Sequence, residues 1–211
     1  MDLSELRLTY TMAGLLEDEV APDPIHQFGA WMNQAIATEI LEPNAMILAT
    51  ANASGQPNAR TVLLKSFDSQ GFVFYSSYEG RKAREIAENP KVSLLFYWGP
   101  LERQVRITGT AAQVPERESD EYFNSRPIGH QIAAWVSRQS SVIADREVIA
   151  QNLANVSKRF EPGPVPRPPH WGGFRVKPHV MEFWQGRPNR LHDRLEYVHA
   201  ADGWTIRRLS P

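Results

Sequence analysis

The spacing of turns restricts this chain's fold more than any other feature. From Ala45 onward, most of the β-branched, aliphatic and aromatic runs are separated by short turns rather than crossover helices. Ala45–Ala51 meets Ser54-Gly55, Arg60–Phe67 meets Asp68-Ser69-Gln70-Gly71, and Phe72–Tyr75 follows at once. Only Gly99-Pro100 divides Val92–Trp98 from Leu101–Val114. Phe174–Gln185, Arg190–His199 and Trp204–Leu209 repeat the pattern, with Ala201-Asp202-Gly203 as the last turn. Strands joined this closely pair antiparallel. About seven of them should curl into a barrel with helices packed outside, a mainly β member of the α+β class.

Helical spacing occurs in five places. Asp23-Pro24 reads as an N-cap followed by a first-turn proline, and Ile25, Phe28, Met32, Ala35, Ile36 and Ile40 keep one face up to Pro43. A helix is expected from Gly80 to about Asn89-Pro90. Further helices are expected over Pro115–Ser125, Gln131–Arg138 and Asp145–Phe160, before a proline-rich connector at Glu161–Pro169. Residues 1–22 are weakly patterned and read as a mobile arm, leaving 23–211 as one domain. The large rings of Phe96, Tyr97, Trp98, Trp135, Trp171 and Trp184 suit a core, and exposed aromatic edges on a thinly covered barrel also favour a dimer interface.

Charge is where function begins to show. The formal net charge is −1, which argues against nucleic acid as the main partner. Cations are nevertheless clustered. If Arg190-Leu191-His192-Asp193-Arg194 is extended, Arg190, His192 and Arg194 project from one face. A solvated strand face explains such a row on its own. Two more clusters tilt the reading towards a bound anion. Arg81 and Lys82 open a helix where acidic residues are preferred, a mismatch that a phosphate would turn into attraction. Arg60-Thr61-Val62-Leu63-Leu64-Lys65 is a strand with a cation at each end. Tyr122 and Arg126 stand i,i+4, and Ser137-Arg138-Gln139-Ser140-Ser141 offers small donors at another helix end. Several separate cationic pockets fit two phosphorylated molecules better than one.

Other chemistries lack their fingerprints. There is no Gly-x-Gly-x-x-Gly after a strand, no Walker loop, no Gly-x-Ser-x-Gly and no His-Glu-x-x-His. Six histidines are scattered singly, so no metal site is expected. No cysteine occurs, which excludes disulfides and thiolate chemistry and is compatible with the cytoplasm, the expected location. No apolar run is long enough for a membrane span, and no membrane partner is expected.

Seven ordered strings carry a resemblance: RTVLLK (60–65), FYSS…GRKA (74–83), LERQV (101–105), YFNSRP (122–127), AAWVSRQSS (133–141), HWGGFRV (170–176) and EFWQG…RLHDR (182–194). From about residue 7 to the C-terminus the chain resembles the pyridoxamine/pyridoxine 5′-phosphate oxidases. The resemblance implies a split β-barrel homodimer with FMN at the subunit interface. It also implies oxidation of either vitamer phosphate to pyridoxal 5′-phosphate, with O2 reduced to H2O2. FMN would be held by Arg60, Thr61, Val62, Leu63, Lys65, Tyr75, Ser76, Arg81 and Lys82, completed by Gln104, Gln139, Ser140, Trp184 and Arg194, several from the other subunit. Lys65, Tyr122, Arg126 and His130 would meet the substrate phosphate. Arg190 and His192 would lie over the substrate ring as the catalytic pair, with Arg7 and Tyr10 as a lid.

Two departures stand out: His130 occupies a position commonly serine in that family, and Leu8-Thr9 replaces a more polar pair. Arg60 and Lys65 would also point to opposite faces of a regular strand, so both reach ligand only at a bulge or strand end. Two rival readings remain: an oxidase of the same barrel acting on another substrate, such as a phenazine precursor, and a non-catalytic carrier of flavin or pyridoxal phosphate.

Overall fold

The computed structural model describes Leu3 and residues 9–12, 14–161 and 163–211. Its centre is one antiparallel sheet of nine strands: β1 (Ala45–Ala51), β2 (Pro57–Leu63), β3 (Ser66–Asp68), β4 (Gly71–Ser77), β5 (Lys91–Trp98), β6 (Arg103–Gln113), β7 (Trp171–Gln185), β8 (Asp193–Ala200) and β9 (Gly203–Arg208). The order runs β2-β1-β5-β6-β7-β4-β3, with β8 joined to β7 and β9 to β8. The strand β7 is the spine. Its first half, from Trp171 to Val176, pairs with β4, while Val180 to Gln185 pairs with β8. The sheet curls into a half-barrel, as the turn spacing predicts.

Alternation decides which side chains line the core. Met46 and Leu48 on β1, and Leu94, Phe96 and Trp98 on β5, point inward and are buried, whereas Ile47 and Tyr97 stay exposed on the outer face. The helix α1 (Pro24–Ala37) closes the barrel from within. Asp23 caps it, its carboxylate accepting the Ile25 N–H at 2.7 Å. Phe28 then meets Phe67, Phe72 and Phe96 edge-on, with ring centroids 4.9 to 5.0 Å away. Burying each such side chain stabilises the fold by about 1.5–3 kcal/mol.

A bulge in the spine matters for the site. Gly109 of β6 stands opposite Pro178, and Thr108 opposite Val180, so His179 is the extra residue of β7. Proline is tolerated in this central strand because the ladder is broken there. Gly109 approaches the Lys177 carbonyl too closely for any side chain. The extra residue shifts parity, so Arg175 and Lys177 before it share the outer face with Glu182 and Trp184 after it.

Two strand expectations are corrected. Arg60–Phe67 is broken at Leu64-Lys65: Leu64 N–H donates to the Asn44 carbonyl and Lys65 N–H to that of Val73, both at 2.9 Å. Lys65 therefore lies beyond the end of β2, which removes its opposition to Arg60. The strand expected from Arg190 begins only at Asp193. Pro188–Arg190 forms a 3-10 turn in which Asn189 (φ 57°) and Arg190 (φ 61°) are left-handed. Arg190, His192 and Arg194 thus do not form one row on a strand face. The helices α2 (Arg81–Glu88), α3 (Glu116–Ser125), α4 (Ile128–Val136) and α5 (Glu147–Arg159) fall close to expectation, α4 starting earlier, directly after Pro127.

Residues 9–12 and 14–21 run beside the β7–β8–β9 end of the sheet. The Glu102 carboxylate accepts the N–H groups of Thr11 (3.0 Å) and Met12 (3.1 Å), and Asp193 accepts that of Leu15 (3.1 Å). Arg208 pairs with Glu17 (2.6 Å) and Asp193 (2.7 Å), and buried Tyr197 donates to the Ala21 carbonyl (2.8 Å).

Candidate functional site

A cavity of about 480 Å³ opens between the end of β2, β4, α2 and the α3–α4 corner. It gathers eleven residues singled out from the sequence: Thr61, Val62, Leu63, Lys65, Tyr75, Ser76, Lys82, Tyr122, Arg126, His130 and Gln139. One wall is aromatic. The Tyr75 and Tyr122 rings stack at 3.9 Å, and Trp171 continues the stack, nearly parallel to Tyr122. Burial, and next the nearby Glu118, push the Tyr75 hydroxyl up to about 12, so it remains protonated.

Cations gather at the other side. Arg126 caps α3, with its guanidinium 4.6 Å from the Trp171 ring. Its Nη1 is buried and finds no hydrogen-bond partner among the described residues. A buried guanidinium N–H without an acceptor costs about 1–3 kcal/mol, so an anionic acceptor there would be strongly favoured. Lys82 Nζ donates to Ser76 Oγ (2.9 Å) and Gln139 Oε1 (2.6 Å). Desolvation, and then the charge on Arg60, lower its pKa. The first turn of α2 has no acidic residue and no side-chain cap. Gly80 lies directly against the Gln139 side-chain amide, so a Cβ there would push that amide out of its contact with Lys82. The Lys82 ammonium, the Ser76 hydroxyl and the N-terminus of α2 are donors of the kind a phosphate monoester takes.

Three expected ligands sit elsewhere. The Arg60 side chain is held inside by Glu85 (3.1 Å), Thr50 (2.5 Å) and the Leu48 carbonyl (3.2 Å). The Arg81 side chain lines a neighbouring polar groove with Asn52, Asn58 and Glu88, while its N–H donates to Ser140 Oγ at 3.3 Å. Ser140 itself (φ 69°) lines a separate hollow beside α5.

The remaining residues form a second cluster at the far end of β7. Gln104, Trp184 and Arg194 stand in one cross-strand row on the outer face. Tyr10 packs edge-on to Trp184 (5.7 Å) and to His192 (5.5 Å), and His192 lies 4.6 Å from Trp184. The Arg187 N–H donates to His192 Nδ1 at 3.1 Å, which leaves the ring proton on Nε2. Burial, then Arg190, lower the His192 pKa and favour that neutral form. Arg194 donates from Nε to Glu182 (2.8 Å) and from Nη1 to the Ser210 carbonyl (2.7 Å). Arg7 lies outside the described residues.

From Trp171 in the first cluster to Trp184 in the second is about 40 Å along the strand. No hydrogen bond or ring contact joins the two clusters among the described residues. Sequence pattern alone does not single out Trp171, which lines the cavity of the first cluster, or Glu182, which holds Arg194. Trp171 looks like an ordinary core or interface ring, and Glu182 sits inside an aromatic string. Its signal was an acid on a strand whose neighbours on both sides are apolar.

The fold and the first cluster define a class: an antiparallel split barrel with a phosphate-type anion site at its rim. Residues 32–160 match the family model described as pyridoxamine 5′-phosphate oxidase, and residues 171–211 match that of the pyridoxine 5′-phosphate oxidase C-terminal dimerisation region. The chain belongs to the pyridoxamine 5′-phosphate oxidase family. A pyridoxine/pyridoxamine 5′-phosphate oxidase of Rubrobacter xylanophilus is 59% identical over 210 residues, covering 100% of this chain and 97% of the relative. One from Rippkaea orientalis is 53% identical over the whole of both chains. Among solved structures, PhzG from Burkholderia lata, in complex with tetrahydrophenazine-1-carboxylic acid, superposes with TM-score 0.88 at 32% identity. It covers 95% of this chain and 99% of its own. A pyridoxamine 5′-phosphate oxidase-related FMN-binding protein from Nostoc punctiforme shares the fold with TM-score 0.71 at 15% identity, covering 92% of this chain and 100% of its own.

Proposed function

We propose that this protein is an FMN-dependent oxidase that converts pyridoxamine and pyridoxine 5′-phosphates to pyridoxal 5′-phosphate, with O2 reduced to H2O2. The observation that carries the reading is the unpartnered, buried Nη1 of Arg126 in a cavity shared with Lys65, Tyr122 and His130. That set suits a substrate phosphate. The donor set around α2, Lys82, Ser76 and Gln139 suits a second phosphate, that of FMN. FMN, when bound, supplies the acceptor for the substrate's two electrons and passes them to dioxygen.

The chain's own residues then bind and orient. Arg126, Lys65 and Tyr122 fix the phosphate end, which limits where the ring can lie. Arg190 and neutral His192, donating from Nε2, orient the amine or alcohol carbon for reaction. Tyr10 and Trp184 cover that ring and exclude water. Thr61 to Leu63 and Tyr75 line the flavin's place, with Gln104, Trp184 and Arg194 approaching from the second cluster. No hydrogen bond or ring contact joins the two clusters within one copy among the described residues, and Trp171 and Trp184 stand about 40 Å apart along β7, so a site built from both draws on two copies of the chain. A homodimer with FMN between subunits supplies that arrangement, and the match of residues 171–211 to a dimerisation region supports it. A cytoplasmic setting fits the cysteine-free sequence.

The likeness to PhzG favours a second reading, a phenazine-type substrate. The higher identity to the vitamer phosphate oxidases and the Arg126 site weigh against it. Adding pyridoxamine 5′-phosphate to FMN-loaded protein without oxygen separates the readings. Bleaching of the flavin absorbance that reverses in air, with peroxide formed, is expected. An unbleached flavin in protein that still binds the vitamer would overturn the oxidase and leave a carrier.

A further inference from the structure

The outer face of the sheet carries a buried carboxylate that no part of the proposed chemistry uses. Glu182 has a side chain 4% exposed towards the C-terminal end of β7. Its two oxygens are divided between two strands: Oε1 accepts from Arg194 Nε at 2.8 Å on β8, and Oε2 pairs with Arg106 Nη2 on β6. Directly across lies Glu196, which Arg207 of β9 neutralises at 2.6 Å. Four strands therefore hold a row Arg106–Glu182–Glu196–Arg207, and Arg194 enters it diagonally from the row of Trp184 and Gln104.

The geometry points to Glu182 as the positioning residue for Arg194, holding its guanidinium in the one orientation that serves the flavin. This rests on the reading above in which Arg194 touches FMN. An arginine side chain on an open strand face samples many rotamers, and ordering it on ligand binding lowers affinity. Glu182 takes Nε and the Ser210 carbonyl takes Nη1, so two fixed acceptors define the guanidinium plane before any ligand arrives. Nη2 has no protein acceptor among the described residues, which leaves that edge for the ligand. Arg106 does not share the role. Its side chain is 49% exposed, and it balances the second oxygen so that one carboxylate is not drawn between two poses of Arg194. A carboxylate with two divided partners holds each more rigidly than a pair free to swing.

The experiment is a double-mutant cycle on FMN affinity, read by quenching of flavin fluorescence as FMN is added to stripped protein. Glu182→Gln should raise the FMN dissociation constant about tenfold, a change of about 1.4 kcal/mol. Arg194→Gln should raise it at least as much, and the double variant should match Arg194→Gln alone, because Glu182 acts only through Arg194. Arg106→Gln should leave FMN affinity within about twofold, and Glu182→Asp, which keeps the charge, should recover part of the loss. Additive effects of the two substitutions, or unchanged affinity in Glu182→Gln, would overturn the inference while leaving the flavin reading intact. Unchanged affinity in Arg194→Gln would instead remove Arg194 from the flavin site. Should Glu182→Gln fail to fold, the same cycle with Glu182→Asp decides the question.

Discussion

Replacing Arg126 by methionine should move stability and affinity in opposite directions. In the free protein Arg126 Nη1 is buried without an acceptor, a loss of about 1–3 kcal/mol relative to a satisfied group. Against this, its guanidinium gains a cation–π contact with Trp171 at 4.6 Å, worth about 0.5–1 kcal/mol at a partly open site. An unbranched apolar side chain keeps contact with the ring and removes the orphan. The expected net change is a stabilisation of about 1 kcal/mol, or about 2–4 °C in Tm for a chain of this length. With ligand present the sign reverses. A hydrogen bond from a charged group to phosphate contributes about 1.5–3 kcal/mol, so KM for pyridoxamine 5′-phosphate should rise about tenfold to a hundredfold. Thermal unfolding of FMN-free protein and steady-state peroxide formation measure the two quantities. Unphosphorylated pyridoxamine serves as the control, since its weak turnover should not change. A fall of several degrees in Tm together with an unchanged KM would refute the reasoning, because Arg126 would then be a packing residue satisfied in the free state.

Lys82 and Glu85 make two further predictions. Desolvation lowers the Lys82 pKa, so FMN affinity should weaken as pH rises through that depressed value, earlier than for an exposed lysine, and Lys82→Met should abolish this dependence. In FMN-free protein the same shift means the unfolded chain binds more protons than the folded one, so Lys82 adds stability as pH climbs from its depressed value towards 10.5. Burial alone would raise the Glu85 pKa, but hydrogen bonds from Thr50 and Arg60 outweigh it and leave a net lowering. Its contribution is therefore present above the unfolded value of 4.5 and lost as pH falls through the lowered one. Glu85→Gln should cost about 3 kcal/mol at neutral pH by stranding Arg60, and its deficit should shrink in acid denaturation curves.

Strand identity was legible because alternation and turn residues are local signals, and the Gly99-Pro100 and Ala201-Asp202-Gly203 turns lie where expected. What local pattern could not show was where a strand stops pairing. Leu64 and Lys65 are ordinary strand residues, yet Asn44, twenty residues back, and Val73, across the following hairpin, claim their N–H groups. The break at Pro188-Asn189-Arg190 had a local signal in the proline, but the cationic alternation that follows masked it. Arg60 shows the same limit for function: its charge suited a ligand, and only the fold shows that Glu85, on a helix 25 residues away, already holds it.

The parity of β7 links these points. Were β7 to run through this step without the bulge, with His179 paired like any other residue, Glu182 and Trp184 would face the barrel interior, and two charged or polar rows would enter a core made of Val105, Ile107, Met181 and Phe183. The bulge permits one strand to bury Phe174 and Val176 before it and Met181 and Phe183 after it, while keeping the outer face continuous. That face then carries Thr61 and Leu63 at one edge and Gln104, Trp184 and Arg194 towards the other, with exposed Ile47 and Tyr97 between. A two-fold axis through such a face would bring one copy's first cluster to the other copy's second cluster, twice per dimer. In the proposed enzyme, then, the bulge at His179, opposite the Thr108–Gly109 step and outside every motif, determines which side chains are available to the interface.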